Sequence, residues 1–130
     1  MNLTKNFSLQ EFNSRDGEKT PDKLIPNIQR LANNLQVLRD AIGSPIQILS
    51  GYRSPNHNKR VGGAMFSQHK KGKAGDLRVE WMRPIEVYNK ILELIEEGKM
   101  EDGGLGLYDS FVHYDIRGKK ARWNNSKIKL

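Results

Sequence analysis

Between Leu24 and Ile42 the apolar residues Leu24, Ile28, Leu31, Leu35, Leu38 and Ile42 recur in steps of three and four. That spacing puts them on one stripe of a helix, and a stripe this long must be covered by a second layer. The helix is expected from about Pro21 to Ile42; Pro26 moves its regular start toward itself, and Gly43 suits its C-terminal cap. A second amphipathic run, RPIEVYNKILELIEEG, starts at Pro84, carries Ile85, Tyr88, Ile91, Leu92 and Ile95, and stops at Gly98. Short alternating runs, PIQILS and KAGDLRV, predict strands, and FVHYDIRG predicts the last clear one.

Near the N-terminus, FSLQEF reads as a short helical turn, because Ser8 and Glu11 form a capping box between Phe7 and Phe12. SRDGEKTPD, SGYRSPNHN and most of 61–76 read as turns and loops, rich in glycine, proline and asparagine, and the glycine-rich DGGLGLYDS precedes the last clear strand. Two helices and a few strands in 130 residues predict one α+β domain over 1–130. Its architecture is a small, mainly antiparallel sheet with helices packed on one face.

The chain contains no cysteine, which excludes disulfides, thiolate metal sites and a cysteine nucleophile. Any metal must therefore be held by nitrogen and oxygen. A net charge of +7 favours an anionic partner: nucleic acid, a membrane surface or an acidic polymer of a bacterial envelope. Lysines such as Lys70, Lys71, Lys73, Lys119 and Lys127 are scattered over loops and the tail, as on an ordinary solvated surface. No common nucleic-acid motif is visible, so specific nucleic-acid binding is not expected. No run is long and apolar enough for a membrane span, and MNLTKNFSLQEF lacks a secretory pattern. The expectation is a monomer, cytoplasmic when made.

SQHKKGKAGD holds His69 and Asp76 seven positions apart. In FVHYDIR, strand alternation sends Val112, Tyr114 and Ile116 to the core and His113, Asp115 and Arg117 to the opposite face. Asp76 shares the polar face of its own strand. Two polar-faced strands can thus hold His69, Asp76 and His113 around one ion, a three-ligand zinc set that leaves a fourth position for water. Taken singly, each residue also fits an ordinary surface or turn position. His57 has no partner in the pattern.

SGYRSP, SQHKKGKAGD and FVHYD together resemble the zinc D-Ala-D-Ala carboxypeptidase family, metallopeptidases of bacterial cell-wall peptide that share a fold with the Hedgehog signalling domain. The family pattern S-x-H-x-x-G-x-A-x-D is matched by Ser67, His69, Gly72, Ala74 and Asp76. The resemblance runs from about residue 45 to 123, through the GGxGxY run and RGKKARW. It implies His69, Asp76 and His113 as zinc ligands and Arg53 as an active-site arginine for a substrate carboxylate or oxyanion. Ser67 and Gln68 become candidates for substrate backbone contacts, although a serine there can also simply pin the loop.

Many family members carry an acid three positions before the last histidine, where this chain has Ser110. The general base then falls to Asp115, or less readily to Asp109, while Asp115 can equally be a partner that orients a ligand histidine. The function implied is a zinc peptidase of D,D-carboxypeptidase or endopeptidase type, acting on stem or cross-link peptides of peptidoglycan. A phage or prophage lysin that reaches the wall after release fits that function. The alternative is a non-catalytic, zinc-stabilised wall-binding or phage structural module of the same fold.

Overall fold

A computed structural model describes residues 1–130. Its longest helix, α1 (Ile25–Ile42), is preceded by a 3-10 turn at Asp22–Leu24 and has Pro26 in its first turn. The helix ends at Gly43, whose φ of 68° is the left-handed conformation a glycine adopts at least cost. Ile28, Leu31, Leu35 and Leu38 are fully buried, with Leu24 and Ile42 half-buried at the ends of the stripe. Each such buried side chain contributes about 1.5–3 kcal/mol.

Strand β1 (Ile46–Ser50) leads into a short helix, α2 (Pro55–Arg60), and β2 (Ala74–Val79) follows a 3-10 turn at Gln68–Lys71. Helix α3 (Pro84–Glu96) connects to β3 (Gly104–Tyr108), β4 (Val112–Asp115) and β5 (Ala121–Asn125). The strands form one sheet in the order β1-β2-β4-β3-β5. The pairings β1–β2, β2–β4 and β4–β3 are antiparallel, and β3–β5 is parallel. The sheet is thus mainly antiparallel, and the molecule is α+β as expected. Helices α1 and α3 share one core with the inner side chains of the sheet, among them Leu77, Val79, Leu105, Leu107, Val112 and Tyr114.

Four local expectations change. Residues 55–60 form a helix rather than a turn, because the Ser54 hydroxyl accepts the His57 N–H and Pro55 pre-sets the first turn. On α3 the buried face is Val87, Tyr88, Ile91 and Leu94, while Ile85, Leu92 and Ile95 are only partly covered. Apolar residues occupy two adjoining faces of that helix, so periodicity alone does not choose between them. GLGLY, which carried no strand assignment, is a strand, and a fifth strand follows FVHYDIRG, which is therefore not the last. No helix is long and apolar enough to cross a membrane.

The registers align one residue from every strand: Ser50 faces Asp76, Asp76 faces His113, His113 faces Gly106, and Gly106 faces Trp123. This row crosses the face opposite the helices. It gathers side chains up to 73 positions apart in the chain (123 − 50) onto one surface.

Candidate metal centre

Asp76 and His113 are cross-strand neighbours in that row, and His69 joins them from the 3-10 turn before β2. The Ser67 hydroxyl accepts the His69 N–H at 3.2 Å and caps this turn, and Gly72, at φ 69°, ends it. Asp76 Oδ1 lies 3.3 Å from His69 Nε2 and 3.1 Å from His113 Nδ1. All three residues are buried, and their ligand atoms lie within 4.8 Å of one another, a spacing suited to one metal ion.

The remaining ring nitrogens are each committed elsewhere. His69 Nδ1 is 2.8 Å from the Gly51 carbonyl, an acceptor, so this nitrogen carries the proton. His113 Nε2 is 2.7 Å from Asp115 Oδ2, so it donates there. In neutral imidazoles the nitrogens turned toward Asp76 are then lone-pair atoms, facing a carboxylate oxygen. Three acceptors in one buried cluster require a cation among them.

The electrostatics agree. Burial acts to raise the Asp76 carboxyl, but hydrogen bonds with His113 and His69 outweigh it and hold the group well below the usual carboxylate range. Burial acts to lower His113, yet the Asp115 and Asp76 carboxylates prevail and push its imidazole up. Without an ion, a proton on His113 satisfies the same demand for positive charge.

Arg53 donates from Nη2 to Asp76 Oδ2 at 3.3 Å, from Nε to Ser50 at 3.2 Å and from Nη1 to Asn58 at 3.4 Å. It thereby restrains the oxygen of Asp76 that faces away from the imidazoles. SGYRS grips two members of the cluster, through the Gly51 carbonyl on His69 and the Arg53 guanidinium on Asp76. Gly51 has no room for a side chain, since a Cβ there would lie 2.7 Å from Phe12 Cα.

Asp115 is completely buried. Its Oδ1 accepts from the Gly104 and Arg117 amides at 2.8 and 3.1 Å and from Arg117 Nε at 2.9 Å. Its Oδ2 accepts from His113 and from Arg117 Nη2, both at 2.7 Å. Burial acts to raise this carboxyl, but His113 and Arg117 outweigh it and hold it low. Asp115 thus sits behind His113 with both oxygens occupied, outside the lining of the cleft. Of the two parts expected for Asp115, base or orienting partner, these contacts match the orienting one. Asp109 is exposed and accepts the Lys127 amide.

A cleft of about 540 Å³ opens over the cluster. Arg53, Ser67 and Gln68 lie on one side, with the 61–66 loop; Tyr108, Phe111, Arg117 and Trp123 form the sheet side. Asp76 is the only carboxylate in its lining. Asn58 holds the loop through the Ala64 carbonyl at 2.9 Å. His57 makes no contribution to this lining.

Sequence reasoning did not find the Gly51 carbonyl, Asn58, Tyr108 or Trp123. Alternating glycines hold the signal for the last two. Gly104, Gly106 and Tyr108 share the cleft face of β3, while Leu105 and Leu107 are buried in the core. A Cβ on Gly104 would lie 2.2 Å from Asp115 Oδ2, and one on Gly106 2.2 Å from Trp123 Nε1. The two glycines leave the space these side chains fill.

The family model for peptidase M15 matches residues 5–115. Over 102 residues the chain is 32% identical to the peptidoglycan L,D-endopeptidase MepK of Escherichia coli strain K12, covering 72% of this chain and 52% of that protein. The same figures hold for MepK of Shigella flexneri. The chain spans about half the length of the curated relatives it matches. With a match over most of its length and the His-Asp-His cluster inside the matched stretch, this chain belongs to the peptidase M15 family.

Proposed function

We propose that this chain is a zinc-dependent peptidase that hydrolyses peptide bonds in the stem or cross-link peptides of bacterial peptidoglycan. The observation that carries the reading is the buried His69–Asp76–His113 cluster, with each spare imidazole nitrogen tied to an acceptor. Its donor set fits zinc. Two ligands at 2.0–2.1 Å from a tetrahedral ion lie about 3.3 Å apart, and the two distances to Asp76 Oδ1 are 3.1 and 3.3 Å. Zinc held there would polarise the scissile carbonyl and lower the pKa of a water in its open position.

The chain's own residues supply the rest. Asp115 and the Gly51 carbonyl hold the imidazoles in the tautomers a metal needs. Arg53 faces the cleft with a charge available to a substrate carboxylate or carbonyl. Gln68 is positioned for a substrate backbone contact, while Ser67 has one lone pair engaged in capping the His69 turn. With Arg53 and Arg117 in the lining and Asp76 its only acid, the cleft suits an anionic stem peptide. The relatives' name, a peptidoglycan L,D-endopeptidase, supports the endopeptidase type over the D,D-carboxypeptidase type. A phage lysin and a resident wall enzyme would use the same cleft.

One observation favours a second reading, a non-catalytic zinc-stabilised wall-binding module: no free carboxylate faces the cleft, and Ser110 occupies the acid's expected position. One experiment separates the two. Purified protein, zinc-loaded or treated with a chelator, is incubated with isolated cell walls, and newly freed amino groups and fragment masses are measured. Release that needs the metal supports the peptidase; wall binding without release by fully loaded protein supports the module.

A further inference from the structure

On the sheet side of the cleft the Tyr108 hydroxyl carries a proton that no protein group accepts. Tyr108 stands on the cleft face of β3, its ring stacked on Phe111 at 4.4 Å and 9°. Its hydroxyl oxygen accepts the Trp123 indole N–H at 3.0 Å. An indole N–H can only donate, so this bond occupies a lone pair of the phenol and leaves its O–H proton unused. No group of the protein accepts that proton. The neighbouring arginines each carry an ion pair, Arg53 with Asp76 and Arg117 with Asp115.

The pair is built into the sheet. Trp123 lies across Gly106, where any side chain would collide with the indole, and its ring is 5.0 Å from that of His113. The Arg117 guanidinium covers the same indole at 5.4 Å. Trp123 therefore bridges the metal-site imidazole and the Tyr108 hydroxyl as one packed layer. Strand β5, which supplies it, lies beyond the residues matched by the family model.

Resting on the peptidase reading above, we propose that Tyr108 is a catalytic residue: its O–H, held by Trp123, donates to the scissile-carbonyl oxygen as that oxygen becomes negative. The phenol keeps its proton throughout, and no bond to it forms or breaks. A phenol O–H in the lining of the same cleft as His113 is a donor of the kind that stabilises charge developing on a carbonyl oxygen.

The test compares wild type, Tyr108→Phe and Trp123→Phe, all zinc-loaded and with metal content measured. Turnover is followed on a cross-linked muropeptide dimer. Affinity is measured by calorimetry for that dimer with the protein metal-free, and for a phosphinic alanyl-alanine isostere whose oxygens copy the charged tetrahedral centre. Removing one such donor lowers kcat by about 100-fold or more. Tyr108→Phe is expected to lose that much in kcat with KM within about threefold, and to lose a similar factor for the phosphinate but not for the dimer. Trp123→Phe, which keeps a ring but not the N–H, should fall between it and wild type. Unchanged kcat and phosphinate affinity in Tyr108→Phe, beside an active wild type, overturn the assignment of Tyr108 alone. Equal loss in dimer affinity, metal content or melting temperature overturns it too, since a packing role would produce that. A loaded wild type that neither cleaves the dimer nor binds the phosphinate brings down the peptidase reading and this inference with it.

Discussion

Replacing Asp115 by Asn separates a group that orients His113 from a group that acts on substrate. The carboxylate accepts five protein hydrogen-bond donors: the Gly104 amide, the Arg117 amide, Arg117 Nε and Nη2, and His113 Nε2. An amide offers one oxygen for these five, so whichever way it turns, its NH2 meets other donors. Turned toward His113, it donates to Nε2 and drives the imidazole proton to Nδ1, the atom that faces Asp76. Turned the other way, it opposes the Gly104 and Arg117 amides. In either pose the charge that balances Arg117 is gone. Losing the charge from three bonds costs about 1 kcal/mol each. The sum of about 3 kcal/mol lies at the low end of the cost of breaking a fully buried ion pair, because the Arg117 side chain is 24% exposed. For a domain of this size that lowers the melting temperature of the metal-free protein by roughly 6–15 °C. Metal affinity should fall about 10–100-fold, or roughly 1.4–2.7 kcal/mol. Thermal unfolding of the apoprotein and titration against a competing zinc chelator measure the two effects. If Asp115→Asn melts and binds zinc like wild type yet cleaves nothing, the carboxylate acts on substrate, and the orienting role derived from its burial is wrong.

Gly106→Ala, whose Cβ would lie 2.2 Å from Trp123 Nε1, should cost about 1–3 kcal/mol and expose the indole; urea unfolding and Trp123 fluorescence in a Trp81→Phe background read both. Saturating zinc, at 100 times its dissociation constant, should stabilise the protein by about 2.7 kcal/mol, and a chelator should abolish that gain in calorimetry. Glu101 is held below its ordinary 4.5, first by the Arg30 guanidinium and then by Asn34, against burial. A lowered pKa means the contribution is present above about pH 4.5 and lost as pH falls through the folded value. Glu101→Gln should therefore flatten the acid limb of the stability curve, measured by unfolding midpoints between pH 3 and 6, which are roughly the bounds of that titration.

The buried stripe from Ile28 to Leu38, its glycine stop and the Ser8–Glu11 capping box were all legible in the sequence, because helix periodicity and caps are local properties. The alternation of FVHYDIR likewise separated the two faces of the strand, since neighbours in a strand must face opposite sides. What stayed illegible depended on neighbours distant in the chain. GLGLY carries no strand signal because glycine is a poor strand former, until β4 and β5 pair on either side of it and the space above its glycines is filled by Asp115 and Trp123. ARWNN has no alternation to read, since as an edge strand it is held by β3 and buries no face of its own.

The sequence by itself determined which residue types could hold an ion and which face of each strand they occupy. Only the tertiary structure decided that strand order and register set Ser50, Asp76, His113, Gly106 and Trp123 in one row. It also decided that Asp115 sits behind His113 rather than in front of it. Alternation specifies a side of the sheet, whereas depth and partners come from the strands packed alongside, and those are chosen by long-range pairing that no local pattern encodes.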